Sequence, residues 1–290
     1  MENKSNKTEE QGKFILVEGI SGSGKTLQAV KYLAPFLKQL GYEVMESREP
    51  TVLNPFGRVI RAIIEGKEIS EKLLQDLEVQ VMLLHARVQM SLLRSLSKRY
   101  KRLTTFSYMI GEIMEKIKGK KTLTELERQL LFLVDRLYDI EGLIKPALKE
   151  KKIVVVDRYD LSNYAYGSAC GVPLEELYEW HEAILQDDYL VPDLAFFIAV
   201  SPEVATKRLL SSGKTIDRYE TLETLRKVDE QYNRAIALRT QKSVEETMKD
   251  ETKKIAVTRI IHGEGSPEDV FEEIKRELVL YGLVPKQNKK

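Results

Sequence analysis

The chain has little with which to cross-link itself or cage a metal. Its 290 residues include one cysteine, Cys170, which excludes an internal disulfide and any cysteine-rich metal site. Three histidines, His85, His181 and His262, are scattered without metal-ligand spacing. No run of about 18 apolar residues occurs, and residues 1–13 are polar, so neither a membrane-spanning helix nor a secretory leader is expected. Neither charge is in excess: the formal net charge is +1, which gives no reason to expect nucleic acid as a partner. A cytoplasmic protein is the expectation. With 42% hydrophobic and 31% charged residues the chain can bury a core.

The most informative stretch is Gly19-Ile20-Ser21-Gly22-Ser23-Gly24-Lys25-Thr26, the pattern G-x-x-x-x-G-K-[ST]. An apolar run at 14–17 precedes it, and residues 27–33 continue with helical spacing. Glycines let the backbone turn with positive φ and approach a phosphate without a Cβ in the way. Gly19, Ser21, Gly22, Ser23 and Gly24 thus offer N–H groups to an anion, with a helix N-terminus adding positive charge. Lys25 can reach the outer phosphates, and the Thr26 hydroxyl can hold Mg²⁺.

Along the chain, residues 1–12 read as a disordered tail and 13–285 as a single domain. Apolar strands are expected at 14–17, 43–46, 153–156, 194–200 and 255–261. Helices are expected from 27 to about 40, over 57–65, 71–99 and 122–148, and after Ser266-Pro267-Glu268-Asp269. Such alternation indicates an α/β fold with a parallel sheet, here five-stranded and flanked by helices, and the Gly-rich loop after the first strand makes the P-loop NTPase type the expectation. Ligands in these sheets bind at the carboxyl ends of the strands. Arg48 and Asp157-Arg158 stand there, and a carboxylate can hold a Mg²⁺ shell while an arginine grips a phosphate. Lys207-Arg208, Lys214 and Asp217-Arg218 surround a Ser-Ser-Gly stretch and suit a basic lid over 207–219. Residues 77–87 also align without gaps with 126–136, at an offset of 49 residues. Either a local duplication or two similar amphipathic helices accounts for that echo.

Taken in order, these segments resemble the thymidylate kinase family of P-loop nucleoside monophosphate kinases. The matching residues are 14–19 with the loop, Arg48-Glu49-Pro50, Leu131-Phe132-Leu133-Val134-Asp135-Arg136 and Ile144 to Leu148. Asp157-Arg158-Tyr159 with Ser162-Asn163 and Ala165-Tyr166, Pro192-Asp193-Leu194 and Asp217-Arg218-Tyr219-Glu220 follow. The resemblance implies ATP- and Mg²⁺-dependent phosphorylation of dTMP to dTDP by a homodimer. It implies that Arg48 and Arg158 hold the acceptor phosphate, Phe132 stacks on a pyrimidine, and Arg136 and Asn163 read its edge. Tyr166 would crowd the 2′ position of the sugar. Lys25, Asp157, Arg158, Arg208 and Arg218 form the implied catalytic set, with Lys214 at the ATP and Thr26 and Asp157 near Mg²⁺. By spacing alone, Phe132 fits a core position on its helix better.

The chain departs from the family pattern in four places. Ser21 stands at or beside the usual P-loop acid, Thr51-Val52 replaces Gly-Gly, and Ser212 takes the place of a lid arginine. About 49 residues are also inserted, giving a helical hairpin near 88–125 with a basic tip at Lys98-Arg99-Tyr100-Lys101-Arg102. The insertion leaves two candidates for the base-reading arginine, Arg87 and Arg136; the preceding Phe132 and adjacent Asp135 favour Arg136. A kinase for another nucleotide or nucleoside, and a nucleotide-binding regulator, are the rival expectations.

Overall fold

A computed structural model describes residues 12–92, 98–185, 188–213 and 215–285. The expected disordered tail, apart from Gly12, lies outside these residues, and so does Lys214. Strands β1 (Lys13–Glu18), β2 (Val44–Arg48), β3 (Ile153–Asp157), β4 (Leu194–Ala199) and β5 (Thr258–His262) form one sheet. Every pairing is parallel, in the order β2-β3-β1-β4-β5. Ile153 to Asp157 are all buried, as a central parallel strand requires. Successive side chains point to opposite faces. Phe14, Leu16, Val154 and Val156 therefore enter one core, and Ile15, Val17, Ile153 and Val155 the other.

After the P-loop the chain winds as a π-helix, Leu27–Leu33, into α1 (Ala34–Gln39) and stops at Gly41, whose φ is +90°. Helix α2 (Pro55–Ile64) starts at Asn54, whose side chain accepts from the Gly57 N–H. Helices α3 (Glu71–Leu92) and α4 (Lys98–Lys118) follow. The helix expected over 122–148 is three pieces: α5 (Glu125–Asp139), a π-helical Ile140–Ile144 and α6 (Lys145–Lys149). A reciprocal Thr124–Glu127 capping box sets its start. Beyond β3 come α7 (Asp160–Ala169) and α8 (Leu174–Leu185); beyond β4, α9 (Pro202–Ser211) and α10 (Leu222–Lys249); α11 (Pro267–Leu280) closes the fold.

Two strands differ from expectation: β2 extends to Arg48, and β5 begins at Thr258. Helix α10, 28 residues long, escaped notice because its buried stripe is thin and polar in part: Leu225, Val228, Tyr232, Ala235 and Arg239. Lys207 and Arg208 lie in helix α9, so the expected lid loop is shorter than 207–219. The inserted hairpin is helical, as expected, and shares the core of the sheet. Phe106 and Ile110 of α4 join Leu77 and Leu84 of α3 in the cluster that holds Phe14 and Val154. The Phe106 ring also lies 6.2 Å from Trp180 of α8.

Because that core is continuous, damage to the insertion destabilises the whole domain. Phe106→Ala should lower the free energy of unfolding by about 3–5 kcal/mol. Urea denaturation followed by the fluorescence of Trp180, the chain's single tryptophan, measures it; a loss below about 1 kcal/mol would mean that the hairpin is held independently.

Candidate active site

The carboxyl ends of β1, β2 and β3 meet in one cleft of about 400 Å³. Parallel pairing sets Val17 and Arg48 each opposite Asp157, so three loops emerge side by side. The P-loop wraps the end of β1. At Gly24 the φ is +92° and a Cβ would point into open space, which leaves a cradle bordered by backbone. Gly22 has a φ of +82°, and a Cβ there would meet the Ala205 carbonyl oxygen at 2.4 Å. Both positions demand glycine.

Lys25 is only 6% exposed and donates to the Ile20 carbonyl at 3.3 Å. Burial, and then the charge of Arg158, lower its ammonium from 10.5 to about 7. A cation so destabilised is poised to accept an anion. Thr26 Oγ1 donates to Asp157 Oδ2 at 2.5 Å, while Asp157 Oδ1 is buried without a partner among the described residues. A hydroxyl and a free carboxylate oxygen beside a phosphate cradle suit Mg²⁺, a hard cation that keeps few protein ligands.

Arg158 follows with a φ of +73°. Its Nη2 donates to Ser21 Oγ at 3.1 Å and Tyr166 Oη at 3.3 Å, and its Nη1 to Ser162 Oγ at 3.1 Å. The Ser21 N–H in turn donates to Tyr166 Oη at 2.9 Å, so two hydroxyls fill the region where the family pattern has an acid. Arg48 ends β2, and Arg61 of α2 stands near it, donating to the Pro50 carbonyl. Burial and the charge of Arg48 lower the Arg61 pKa. Arg61 also lines the cleft and was missed in the sequence, where nothing separates it from an ordinary helix-surface arginine.

The opposite wall comes from α5 and α7. Phe132 is half-buried and faces the cleft, unlike the core residue that its spacing suggests. Arg136 is 1% exposed; its Nε donates to Glu49 Oε1 at 2.9 Å, its Nη2 to Glu49 Oε2, and its Nη1 to His181 Nε2 at 2.6 Å. Burial and Arg136 push the His181 pKa well below 6.5, which keeps the ring neutral and Nε2 an acceptor. Asn163 donates to Gln129 Oε1 at 2.7 Å. Thr51 explains its departure from glycine: its N–H and hydroxyl both donate to Asp135, each at 2.8 Å, which ties the Arg48-Glu49-Pro50 turn to α5.

Ser21, Gly22, Lys25, Thr26, Arg48, Phe132, Arg136, Asp157, Arg158, Asn163 and Tyr166 all line the cleft. Arg208 and Arg218 do not. Arg208 donates to the carbonyls of Ser23 at 3.3 Å and Gly263 at 2.9 Å, bracing the P-loop from behind. Arg218 pairs with Glu125 at 3.5 Å and lies over the Tyr219 ring. Asp217, Tyr219 and Glu220 reach the cleft instead. Arg87 is outside it, paired with Glu141 on the surface.

The family model for thymidylate kinase matches residues 17–105 and 78–260. The chain belongs to the thymidylate kinase family. Its two matched spans overlap over 78–105, a stretch that runs from within α3 into α4. A probable thymidylate kinase of Thermococcus kodakarensis is 30% identical over 219 residues, covering 76% of this chain and 82% of the relative. One from Archaeoglobus fulgidus is 33% identical over 215 residues, 74% of this chain and 78% of its own. A thymidylate kinase of Caldicellulosiruptor saccharolyticus is 28% identical over 269 residues, 92% and 95% of the two chains.

The depressed Lys25 has a measurable consequence. The folded protein releases this proton near pH 7 and the unfolded chain near 10.5. Stability of the ligand-free enzyme therefore rises with pH between those values, and below about 7 the full penalty is present. Lys25→Met should raise the melting temperature at pH 7, with the gap from the parent closing toward pH 10. Thermal denaturation across that range checks it; a variant no more stable than the parent at pH 7 contradicts it.

Proposed function

We propose that the chain transfers the γ-phosphoryl group of ATP to dTMP, giving dTDP and ADP, in the cytoplasm. One observation carries this reading: a phosphate cradle, an arginine cluster and an aromatic–amide wall line a single cleft. In it Lys25 and the P-loop N–H groups bind the donor phosphates. Arg48, Arg61 and Arg158 bind the acceptor phosphate, and Arg158 lies closest to the P-loop, where the groups exchange. Thr26 and Asp157 hold Mg²⁺, which when bound offsets the charge of the donor phosphates. Catalysis is positioning and charge stabilisation without a covalent enzyme intermediate, because a loose phosphoryl transition state asks for little else.

Phe132 stacks on the thymine, and Arg136 reads its edge with the N–H groups that Glu49 and His181 leave free. Asn163, oriented by Gln129, contacts the same ring. Tyr166, pinned to Ser21, stands where a ribose 2′-hydroxyl would go. Arg208 and Arg218, engaged elsewhere, are left out of the catalytic set. Ser21 motivates a second reading, the same chemistry on another acceptor, since a hydroxyl replaces the carboxylate expected near the sugar.

An assay of ADP release with ATP–Mg²⁺ separates the two. The acceptors to compare are dTMP, its ribose counterpart, dUMP, UMP, dCMP and thymidine. Release should depend on dTMP and be weak with the ribose counterpart. Phe132→Ala should raise the KM for dTMP about 10–100-fold, the worth of one base stack, with a smaller change in kcat. Another preferred acceptor removes the thymidylate assignment, and ADP release indifferent to any acceptor removes the kinase.

The enzyme acts as a homodimer in this reading. Val79, Met82, Leu83 and Ala86 form an exposed apolar stripe along α3, with Met82 70% exposed, the kind of face that a second copy covers. Met82→Glu should shift the protein from dimer to monomer in sedimentation equilibrium; a parent chain already monomeric at micromolar concentration rules the dimer out. Among the described residues no helix is long and apolar enough to cross a membrane.

A further inference from the structure

Glu18 is the last residue of β1, fully buried, and none of the substrate contacts above uses it. Its Oε1 accepts from the N–H of Tyr159 at 2.7 Å and of Ser162 at 3.3 Å. Its Oε2 accepts from the hydroxyls of Ser162 at 2.6 Å and Tyr232 at 3.0 Å. Those two hydroxyls also accept from Arg158 Nη1, at 3.1 Å and 3.4 Å. Ser21 and Tyr166 hydroxyls take Nη2. Among the described residues, then, every side chain that hydrogen-bonds the Arg158 guanidinium does so through a hydroxyl, the Gly19 carbonyl at 3.4 Å and the face of the Tyr166 ring being its other contacts, and the Glu18 carboxylate stands one hydroxyl away.

Burial raises the Glu18 pKa, while two N–H groups and the hydroxyls around it favour the acceptor form; the carboxylate draws the Ser162 proton, orders the Tyr232 hydroxyl 2.7 Å from Ser162, and so turns their lone pairs toward the guanidinium. The backbone is held by the same group. Arg158 has a φ of +73°, a region that disfavours any residue with a Cβ, and the bond from Tyr159 N–H to Glu18 holds the next peptide in that turn. A carboxylate placed directly on Arg158 would neutralise the charge that a phosphate needs. Separation by one hydroxyl supplies orientation and leaves the charge uncommitted.

We propose that Glu18 is a positioning residue for Arg158, acting through Ser162 and Tyr232 to aim its guanidinium at the transferred phosphoryl group. This role rests on the phosphate contact proposed for Arg158. Glu18→Gln keeps the size but turns one acceptor into a donor opposed to the two hydroxyl protons. In steady-state assays of the whole enzyme, kcat should fall about 100-fold, the effect of misplacing a group by roughly 1 Å, with the KM for ATP unchanged. Tyr232→Phe removes one hydroxyl from a ring that stays packed on Phe197, and should cost about tenfold.

Two combinations decide the matter. Glu18→Gln added to Arg158→Ala should slow the enzyme no further than Arg158→Ala alone, because the group being positioned is already gone. Independent, multiplying losses would mean that Glu18 supports the fold in general; the proposal then fails while the role of Arg158 stands. Should Glu18→Gln not fold, Tyr232→Phe with and without Arg158→Ala gives the same decision. An Arg158→Ala enzyme with unchanged kcat removes the phosphate contact and the Glu18 proposal together.

Discussion

The register of three parallel strands is the constraint on which the rest of the molecule depends. Val17 of β1 and Arg48 of β2 both stand opposite Asp157 of β3. That single row brings the P-loop, the Arg48-Glu49-Pro50 turn and the Asp157-Arg158 turn to one edge. A slip by one residue would turn Asp157 and Arg48 to the wrong faces, since side chains alternate across a strand. The hydrophobic faces prevent it: Phe14, Leu16, Val154 and Val156 can satisfy one core only in this alignment. Packing that looks purely structural therefore sets the spacing of the groups that line the cleft.

Charge inside the cleft is managed in three different ways. Lys25 is left short of partners, so burial weakens its proton affinity and makes an arriving anion welcome. Arg136 is matched directly by Glu49 and steadied by a neutral His181, which holds its guanidinium fixed. Arg158 is hydrogen-bonded to hydroxyls, with the Glu18 carboxylate one layer behind them.

The inserted helices change the outline and leave the cleft's composition alone. Helix α4 packs against α3 and α8 and adds Phe106, Ile110 and Ile113 to a core that already reached the sheet. Arg87, on α3, ends on the surface with Glu141, whereas Arg136 at the equivalent place of α5 is buried against the cleft. Two helices of near-identical pattern thus have opposite fates, decided by what each meets.

Local signals determined a good deal. Apolar runs bounded by turn residues fixed four of the strands to within two residues or so, and the Gly-rich loop, Asp157 and Arg158 could be recognised because their chemistry needs particular residue types at short spacing. Long-range geometry decided the rest. Nothing near Glu18 in the chain indicates Ser162 or Tyr232, and nothing near Arg136 indicates His181. Arg61 differs from a surface arginine only by lying beside Arg48, and Arg208 and Arg218 stay out of the cleft lining, engaged by Ser23, Gly263 and Glu125. Sequence by itself determined which elements form and which could bind phosphate, since periodicity and turn chemistry act over a few residues. Only the tertiary structure decided which charges share a cleft and which partners aim them, because burial and hydrogen bonding depend on residues that meet from distant parts of the chain.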